Sequence, residues 1–289
     1  MPGRVLMRSA LHADQPRQRA GTGRVAVECI DSLSAVVRLA SCSPLKLLAP
    51  KPRAQAAWVF SSSYGGGLVE GDRIELSIDV ATGATLLMGT QASTKVYACG
   101  SDGCSGQAVY ATVSDDALLV LAPDPVTCFA SAAYEQSQKL ELGPGGSLML
   151  IDWMTAGRTA RGERWAFRRY HSRTEILVDG RLLLLDALAL DASDGPIDAP
   201  HRMGRYNCLA TVALVGPRVK ALAAEVLTHV AGEPVGKREP MIHCASELPG
   251  GGALLRIAGV SQELVAGFLR QRVAAIAGQL GDDPWRRRS

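Results

Sequence analysis

The sequence predicts a mainly β (α+β) fold, one large multi-stranded β domain with two helices toward the C-terminal part. Three observations predict it. Gly contributes 30 and Pro 15 of the 289 residues, which punctuates the chain into short elements. From Arg24 to about Leu214, apolar residues recur in steps of two or in short compact runs, the pattern of strands. Helical spacing is confined to the last quarter. Strands first and helices afterwards suit an α+β or mainly β domain better than alternating βαβ units.

The elements follow in order. Val25, Val27 and Cys29 alternate with polar or small residues. Ile74, Leu76, Ile78 and Val80 alternate with Glu75, Ser77 and Asp79, the clearest strand in the chain. Ala108, Tyr110, Thr112 and Val113 predict another. Leu118 to Leu121 reads as a short buried strand stopped by Pro123 and Pro125. A strand ends at Leu140 and Leu142 before the turn Gly143-Pro144-Gly145-Gly146, and Leu148 to Ile151 resumes. Trp165, Phe167 and Tyr170 are expected on one face of the next strand. Thr174 to Val178 and Arg181 to Leu185 flank Asp179-Gly180, a type I′ hairpin signal. Pro217 to Val230 has helical spacing and is stopped by Gly232. Ser261 to Leu280 is the stronger helix, with Ser261 as N-cap and Glu263 in the first turn. Its stripe is Leu264, Phe268, Leu269, Val273, Ile276 and Leu280, closed by Gly281 and Pro284. Residues 1–23 are expected as a flexible start, 24–285 as one domain and 286–289 as a basic tail.

Composition bounds the function. Hydrophobic residues make up 47% of the chain, ample for a core, and the net charge is +3. That balance, with aromatics at 5%, argues against a nucleic-acid or membrane-surface protein. No apolar run approaches the roughly 20 residues of a spanning helix. The first residues lack the apolar core of a secretory signal. The seven cysteines are odd in number and show no disulfide framework, which fits a reducing compartment such as the cytoplasm.

Standard catalytic motifs are missing. There is no G-x-x-x-x-G-K-[ST] loop, no H-E-x-x-H and no paired C-x-x-C. Cys99 and Cys104 bracket a Gly/Ser loop, and His243-Cys244 are adjacent, but a strand would send those two side chains to opposite faces. Three segments place polar residues in apolar surroundings. Tyr64 to Arg73 carries three consecutive glycines, then Glu70 and Asp72, with two hard oxygen donors. Thr90 to Tyr97 is a polar, β-tolerant stretch with Gln91, Ser93, Thr94 and Lys95. Asp152 to Trp165 holds Arg158, Arg161 and Arg164 beside the acids Asp152 and Glu163.

Four strings, GGGLVEGDRIEL, TQASTKVY, DALLVLAPDPVTCFASAAYEQSQ and DWMTAGRTARGERWAF, resemble the urease accessory protein UreD family, called UreH in some bacteria. The resemblance runs from roughly Val25 to Trp285. The forms DPVTCF and DW-x-T-x-GR-x3-GE-x-W-x-F look closer to plant and other eukaryotic members. The resemblance implies a mainly β protein that is not an enzyme. It implies a scaffold in the cytoplasm that joins UreF and the GTPase UreG to the urease apoprotein and helps deliver nickel, with no tightly bound cofactor. It also implies a polar internal tunnel as the nickel route. A conduit must bind a cation weakly and repeatedly, which suits carboxylates, hydroxyls and amides better than a Cys/His cage. The candidate path acids are Asp72, Asp152 and Glu163, with Asp186 and Glu175 as weaker candidates. Gln91, Ser93 and Thr94 would supply neutral oxygens, and Lys95 and Arg158 would hold acids in place. Two rival readings stay open. One is a metal-binding chaperone with its own Cys/His site, or one serving a different metalloenzyme. The other is a hydrolase using paired carboxylates such as Asp152 and Glu163.

Overall fold

The computed structural model describes residues 19–51, 54–232, 234–236 and 238–285. The basic tail and residues 1–18 of the expected flexible start lie outside them. In chain order the strands are β1 (Thr22–Ile30), β2 (Leu33–Ser41), β3 (Leu45–Leu48), β4 (Ala57–Ser63), β5 (Arg73–Val80) and β6 (Thr85–Thr90). Next come β7 (Thr94–Val96), β8 (Ser105–Val113), β9 (Leu118–Leu121), β10 (Val126–Cys128), β11 (Ala133–Leu142) and β12 (Ser147–Thr155). The last are β13 (Arg169–Val178), β14 (Arg181–Asp191), β15 (Cys208–Val215), β16 (Met241–Leu248) and β17 (Gly252–Gly259). Helices α1 (Lys220–Ala231), α2 (Gln262–Arg272) and α3 (Ile276–Leu280) lie late in the chain, as expected.

The strands form two facing sheets. One runs β14-β13-β11-β8-β5-β1-β2 and the other β16-β17-β15-β12-β9-β6-β4-β3. In the middle of both, the pairing is parallel: β5, β8, β11 and β13 in the first, and β4, β6, β9 and β12 in the second. The chain alternates between sheets as it climbs, β5 then β6, β8 then β9, β11 then β12. Parallel neighbours need a long crossover, usually a helix. Here the crossover is a strand of the opposite sheet, so the centre is a strand-built coil. The turn 143–146 therefore passes from one sheet to the other rather than closing a hairpin.

The alternation read from the sequence is the inward face. Val25, Val27, Ile74, Leu76, Ile78 and Val80 are all buried between the sheets, with Leu119, Leu140, Leu148 and Leu150. A second apolar cluster fills the other face of the β15–β17 sheet, where α1, α2 and α3 cover it. The Asp179-Gly180 turn joins β13 to β14 with both residues at positive φ, as type I′ demands.

Several expectations differ in detail. β1 begins at Thr22, so it takes in the last two residues of the segment expected to be free. In β8, Val109, Ala111 and Val113 face the core, whereas Tyr110 points out. Trp165 and Phe167 are buried but lie in an irregular segment before β13, with Trp165 at φ 52°. They pack edge to face with each other and beside Tyr170, so a loop rather than strand alternation gathers these rings. The helix expected over 261–280 is two helices. Ser261 caps the first by accepting the Leu264 N–H, and Gly281 closes the second in the left-handed region. No Gly or Pro marks the break. It lets α2 cover β15 and β17 while α3 covers β6. Leu264 is exposed and Val265 takes its place in the core.

Candidate functional site

Several inward-facing strands carry one or two polar residues where their apolar alternation predicts another Leu or Val. In β12 the inward set is Leu148, Leu150, Asp152 and Met154. In β11 it is Tyr134, Gln136, Gln138, Leu140 and Leu142. β8 contributes Gln107, β13 contributes Ser172 and Thr174, and β14 contributes Asp186. Strand register then sets these residues side by side. Gln136 stands between Gln107 and Ser172 across β8, β11 and β13. Gln138, Thr174 and Asp186 form the next rung. In the facing sheet Asp152, Thr211, Arg256 and Cys244 share one rung across β12, β15, β17 and β16. Residues far apart in the chain thus make a polar band between two apolar layers.

Asp152 is the centre of the band. Both carboxylate oxygens accept from Gln136 Nε2 at 3.0 Å, and Oδ2 also accepts from Gln138 Nε2 and Ser172 Oγ at 3.2 Å. Asp152 is half-buried, and a charge withdrawn from water needs such partners, which come from the opposite sheet. Burial pushes the Asp152 carboxyl above the usual carboxylate range. The Gln136 and Ser172 hydrogen bonds pull it down, and the Asp186 charge adds to the rise.

Three adjoining cavities follow the band. The largest, about 510 Å³, is bordered by Asp152, Ser172, Asp186, Thr211, Cys244 and Arg256. The second, about 40 Å³, shares Asp152 and Trp153 with it and adds Gln107, Gln136, Gln138, Thr90, Thr94 and Asp124. The third, about 80 Å³, shares Ser61, Thr90, Thr94 and Gln107 with the second and reaches Ser62, Ser63 and Ser93. Asp152 is the polar residue at which the wide cavity meets the second one.

Of the path residues expected from the sequence, Asp152, Ser93, Thr94 and Asp186 border these cavities. The remainder sit elsewhere. Asp72 closes a tight turn by accepting the Val69 N–H at 2.9 Å. Glu163 accepts from Ala130 N at 3.1 Å and from Arg158 Nε at 2.8 Å, with a second contact to Arg158 Nη2. Arg158 lies over the Phe129 ring at 4.0 Å and holds the Glu163 carboxyl below its usual range. Glu175 pairs with Arg173. Gln91 and Lys95 are exposed, and the expected polar strand over 90–97 breaks at 91–93 between β6 and β7. The glycine turn packs on that stretch: a Cβ at Gly67 would lie 2.6 Å from Tyr97 and 2.7 Å from the Lys95 carbonyl.

Sequence reasoning missed Gln107, Gln136, Gln138, Ser172, Thr211 and Arg256. The signal was there: stepping back by twos from Leu142 passes Leu140 and then lands on Gln138 and Gln136. As for the thiols, Cys104 touches the Ser105 carbonyl and accepts from Arg73, and Cys99 lies near the Tyr97 carbonyl. The His243 ring stacks on Phe268 of α2, while Cys244 shares the face of Arg256, so the adjacent pair is split between faces. Among the described residues, no three His, Cys, Asp or Glu side chains converge into a metal-holding group. Nor is any helix there long and apolar enough to cross a membrane.

Comparison with known proteins adds a second line. A family model described as UreD urease accessory protein matches residues 19–289. The urease accessory protein UreD of Sorangium cellulosum (strain So ce56) is 48% identical, over 93% of this chain and 85% of that protein. Urease accessory protein D of Oryza sativa subsp. indica is 38% identical over 92% of this chain and 95% of its own length. The Arabidopsis thaliana protein of the same name is 36% identical, over 91% and 99%.

Proposed function

Since the chain belongs to the UreD urease accessory protein family, and so has a role in urease maturation, we propose that it passes nickel ions through the polar band toward the urease apoprotein. In this reading it acts as a non-catalytic scaffold in the cytoplasm, between UreF with the GTPase UreG on one side and urease on the other. The observation that carries the proposal is the run of three adjoining cavities, the first two meeting at Asp152 and the last two at Thr90, Thr94 and Gln107.

The donor chemistry supports it. Carboxylate, amide and hydroxyl oxygens line the band. Nickel holds such ligands less tightly than a cluster of thiolates and imidazoles, which would trap it. Successive weak sites let an ion enter one and leave for the next, the requirement of any conduit. Asp152 and Asp186 supply the negative charge, and Gln136, Gln138, Ser172 and Thr211 supply neutral oxygens between them. Asp72 and Glu163 are turn and loop ties in this reading, with Arg158 fixing Glu163.

The test is urease activation in cells that lack their own UreD, with the chain co-expressed beside urease, UreF and UreG and nickel added. Wild type is compared with Asp152→Asn, and complex assembly is followed by pull-down. Active wild type with an assembled but inactive Asp152→Asn supports passage through the band. Full activity of Asp152→Asn with normal assembly removes the band from the route.

A further inference from the structure

The wide end of the band carries a positive charge, which a cation passage has reason to avoid. Arg256 stands on β17 in the rung Asp152, Thr211, Arg256, Cys244, so its side chain faces the space between the sheets. From there it reaches the opposite sheet, where Arg256 Nη2 donates to Asp186 Oδ1 of β14 at 2.5 Å. β14 is the last strand of one sheet and β16 the last of the other, so the pair spans the open side of the sandwich. Both residues border the 510 Å³ cavity. The Arg256 side chain is 53% exposed and that of Asp186 25%, so the guanidinium is the partner nearer to solvent. Arg256 has water to move into, and Asp186 stays at the cavity wall.

We propose that Arg256 gates the passage by occupying Asp186 until a divalent cation displaces it. The proposal rests on the reading that the band carries nickel. The paired state leaves the mouth neutral, with a cation already seated on its first carboxylate. A divalent ion draws on a carboxylate about twice as strongly as a singly charged one at the same distance. It can therefore take Asp186 from the guanidinium where sodium or potassium cannot. Once Arg256 swings out, Asp186 and then Asp152 are the next carboxylates inward, and Asp186 already acts electrostatically on Asp152. Arg256 is thus a specificity-determining residue, discriminating by charge and keeping the empty passage shut.

Equilibrium dialysis of nickel against the full-length chain tests this, with wild type, Arg256→Gln, Arg256→Met, Arg256→Lys, Asp186→Asn and the double variant Arg256→Gln/Asp186→Asn. Thermal melting checks that each variant folds. Removing one positive charge a few ångströms from a divalent ion at a half-exposed site should tighten nickel binding by about tenfold or more. Arg256→Gln and Arg256→Met should show this gain, Arg256→Lys should stay near wild type, and the double variant should lose the gain. No gain in either neutral variant, or a gain that survives the loss of Asp186, overturns the gate. Its failure is separable from that of the parent reading. If Asp152→Asn still blocks urease activation while Arg256→Gln binds nickel like wild type, the gate falls and the passage stands. If Asp152→Asn activates normally, the passage falls.

Discussion

Replacing Asp152 separates the cost of a half-buried charge from its use. In Asp152→Ala the amide groups of Gln136 and Gln138 lose their shared acceptor. An unsatisfied buried donor costs about 1–3 kcal/mol, so two could cost about 2–6 kcal/mol. The adjoining 40 Å³ cavity has Gln107, Thr90, Thr94 and Asp124 on its wall and room for a water molecule. Water there would satisfy part of the loss, and the unfavourable burial of a carboxylate disappears, which places the net cost near about 2 kcal/mol. With an unfolding entropy of roughly 2.1 cal/mol/K per residue, a chain of this length loses about 3 °C in Tm. Asp152→Asn keeps one acceptor and removes the charge, so its Tm should stay within about 2 °C of wild type. The pH dependence has a definite sign. The folded carboxyl holds its proton at pH values where the unfolded one, near 3.8, has already lost it. The wild-type contribution is therefore fullest below that value and falls as pH rises through the raised folded value. The Tm of Asp152→Asn relative to wild type should rise over the same interval and then level off. Melting curves from pH 4 to 7 beside the urease activation assay measure both. Activation by Asp152→Asn should drop at least tenfold. A flat Tm difference refutes the buried charge, and wild-type activation refutes its use.

Three further outcomes follow from the same geometry. Glu163→Gln should leave nickel-dependent activation intact but speed proteolytic cleavage within 158–163 at pH 7. The Arg158 pair holds Glu163 below 4.5, so its support is present above that value and lost as pH falls through the lowered one; variant and wild type should then be cleaved alike in strong acid. Gly157→Ala should lower Tm by about 4 °C, for about 2–3 kcal/mol, because φ is +112° and a Cβ would meet the Cys128 and Glu163 carbonyls at 2.9 Å. Thiol labelling at pH 8 should mark the exposed Cys29 and Cys244 in the native protein and leave Cys128 and Cys208 until unfolding. Burial pushes the Cys208 thiol up to about 12 and that of Cys128 higher still, so neither forms the reactive thiolate.

Much of the β framework was legible because half-buried strands print their period in the sequence. Ile74 to Val80, Leu118 to Leu121 and the Asp179-Gly180 hairpin are where the alternation and turn chemistry put them. What was not legible is which strands pair. Alternation states that one face is buried, not whether the neighbour runs parallel or antiparallel. The coil of β5 to β12 therefore escaped a reading based on local hairpins. The same limit explains the site. Asp72 and Glu163 drew attention because they sit among charged and glycine-rich neighbours, which is the signature of turns and loops as much as of ligands. Gln136 and Gln138 drew none, because a glutamine on a strand is unremarkable until its neighbours at steps of two prove buried.

The coil also explains how such a band can exist without undermining the core. One polar residue in a buried strand costs stability unless it is paired. Strand pairing places the same rung of each strand beside its neighbour, so Gln107, Gln136 and Ser172 meet across the parallel β8, β11 and β13, and Asp152, Thr211 and Arg256 across the antiparallel β12, β15 and β17. Gln136 and Gln138 then donate to Ser172 and Thr174 within their own sheet, and the facing rows satisfy one another through Asp152. The apolar layers on either side remain buried, Leu140, Leu142, Leu148 and Leu150 toward the turn 143–146 and Tyr134 and Met154 beyond the band. A polar path through the molecule thus needs only one or two substitutions per strand at a matched height. The band is accordingly more sensitive to register than to residue type. Asn or Ser in place of Gln136 keeps it polar, whereas a one-residue slip of β11 would turn both glutamines outward and close it with leucine-flanking charges.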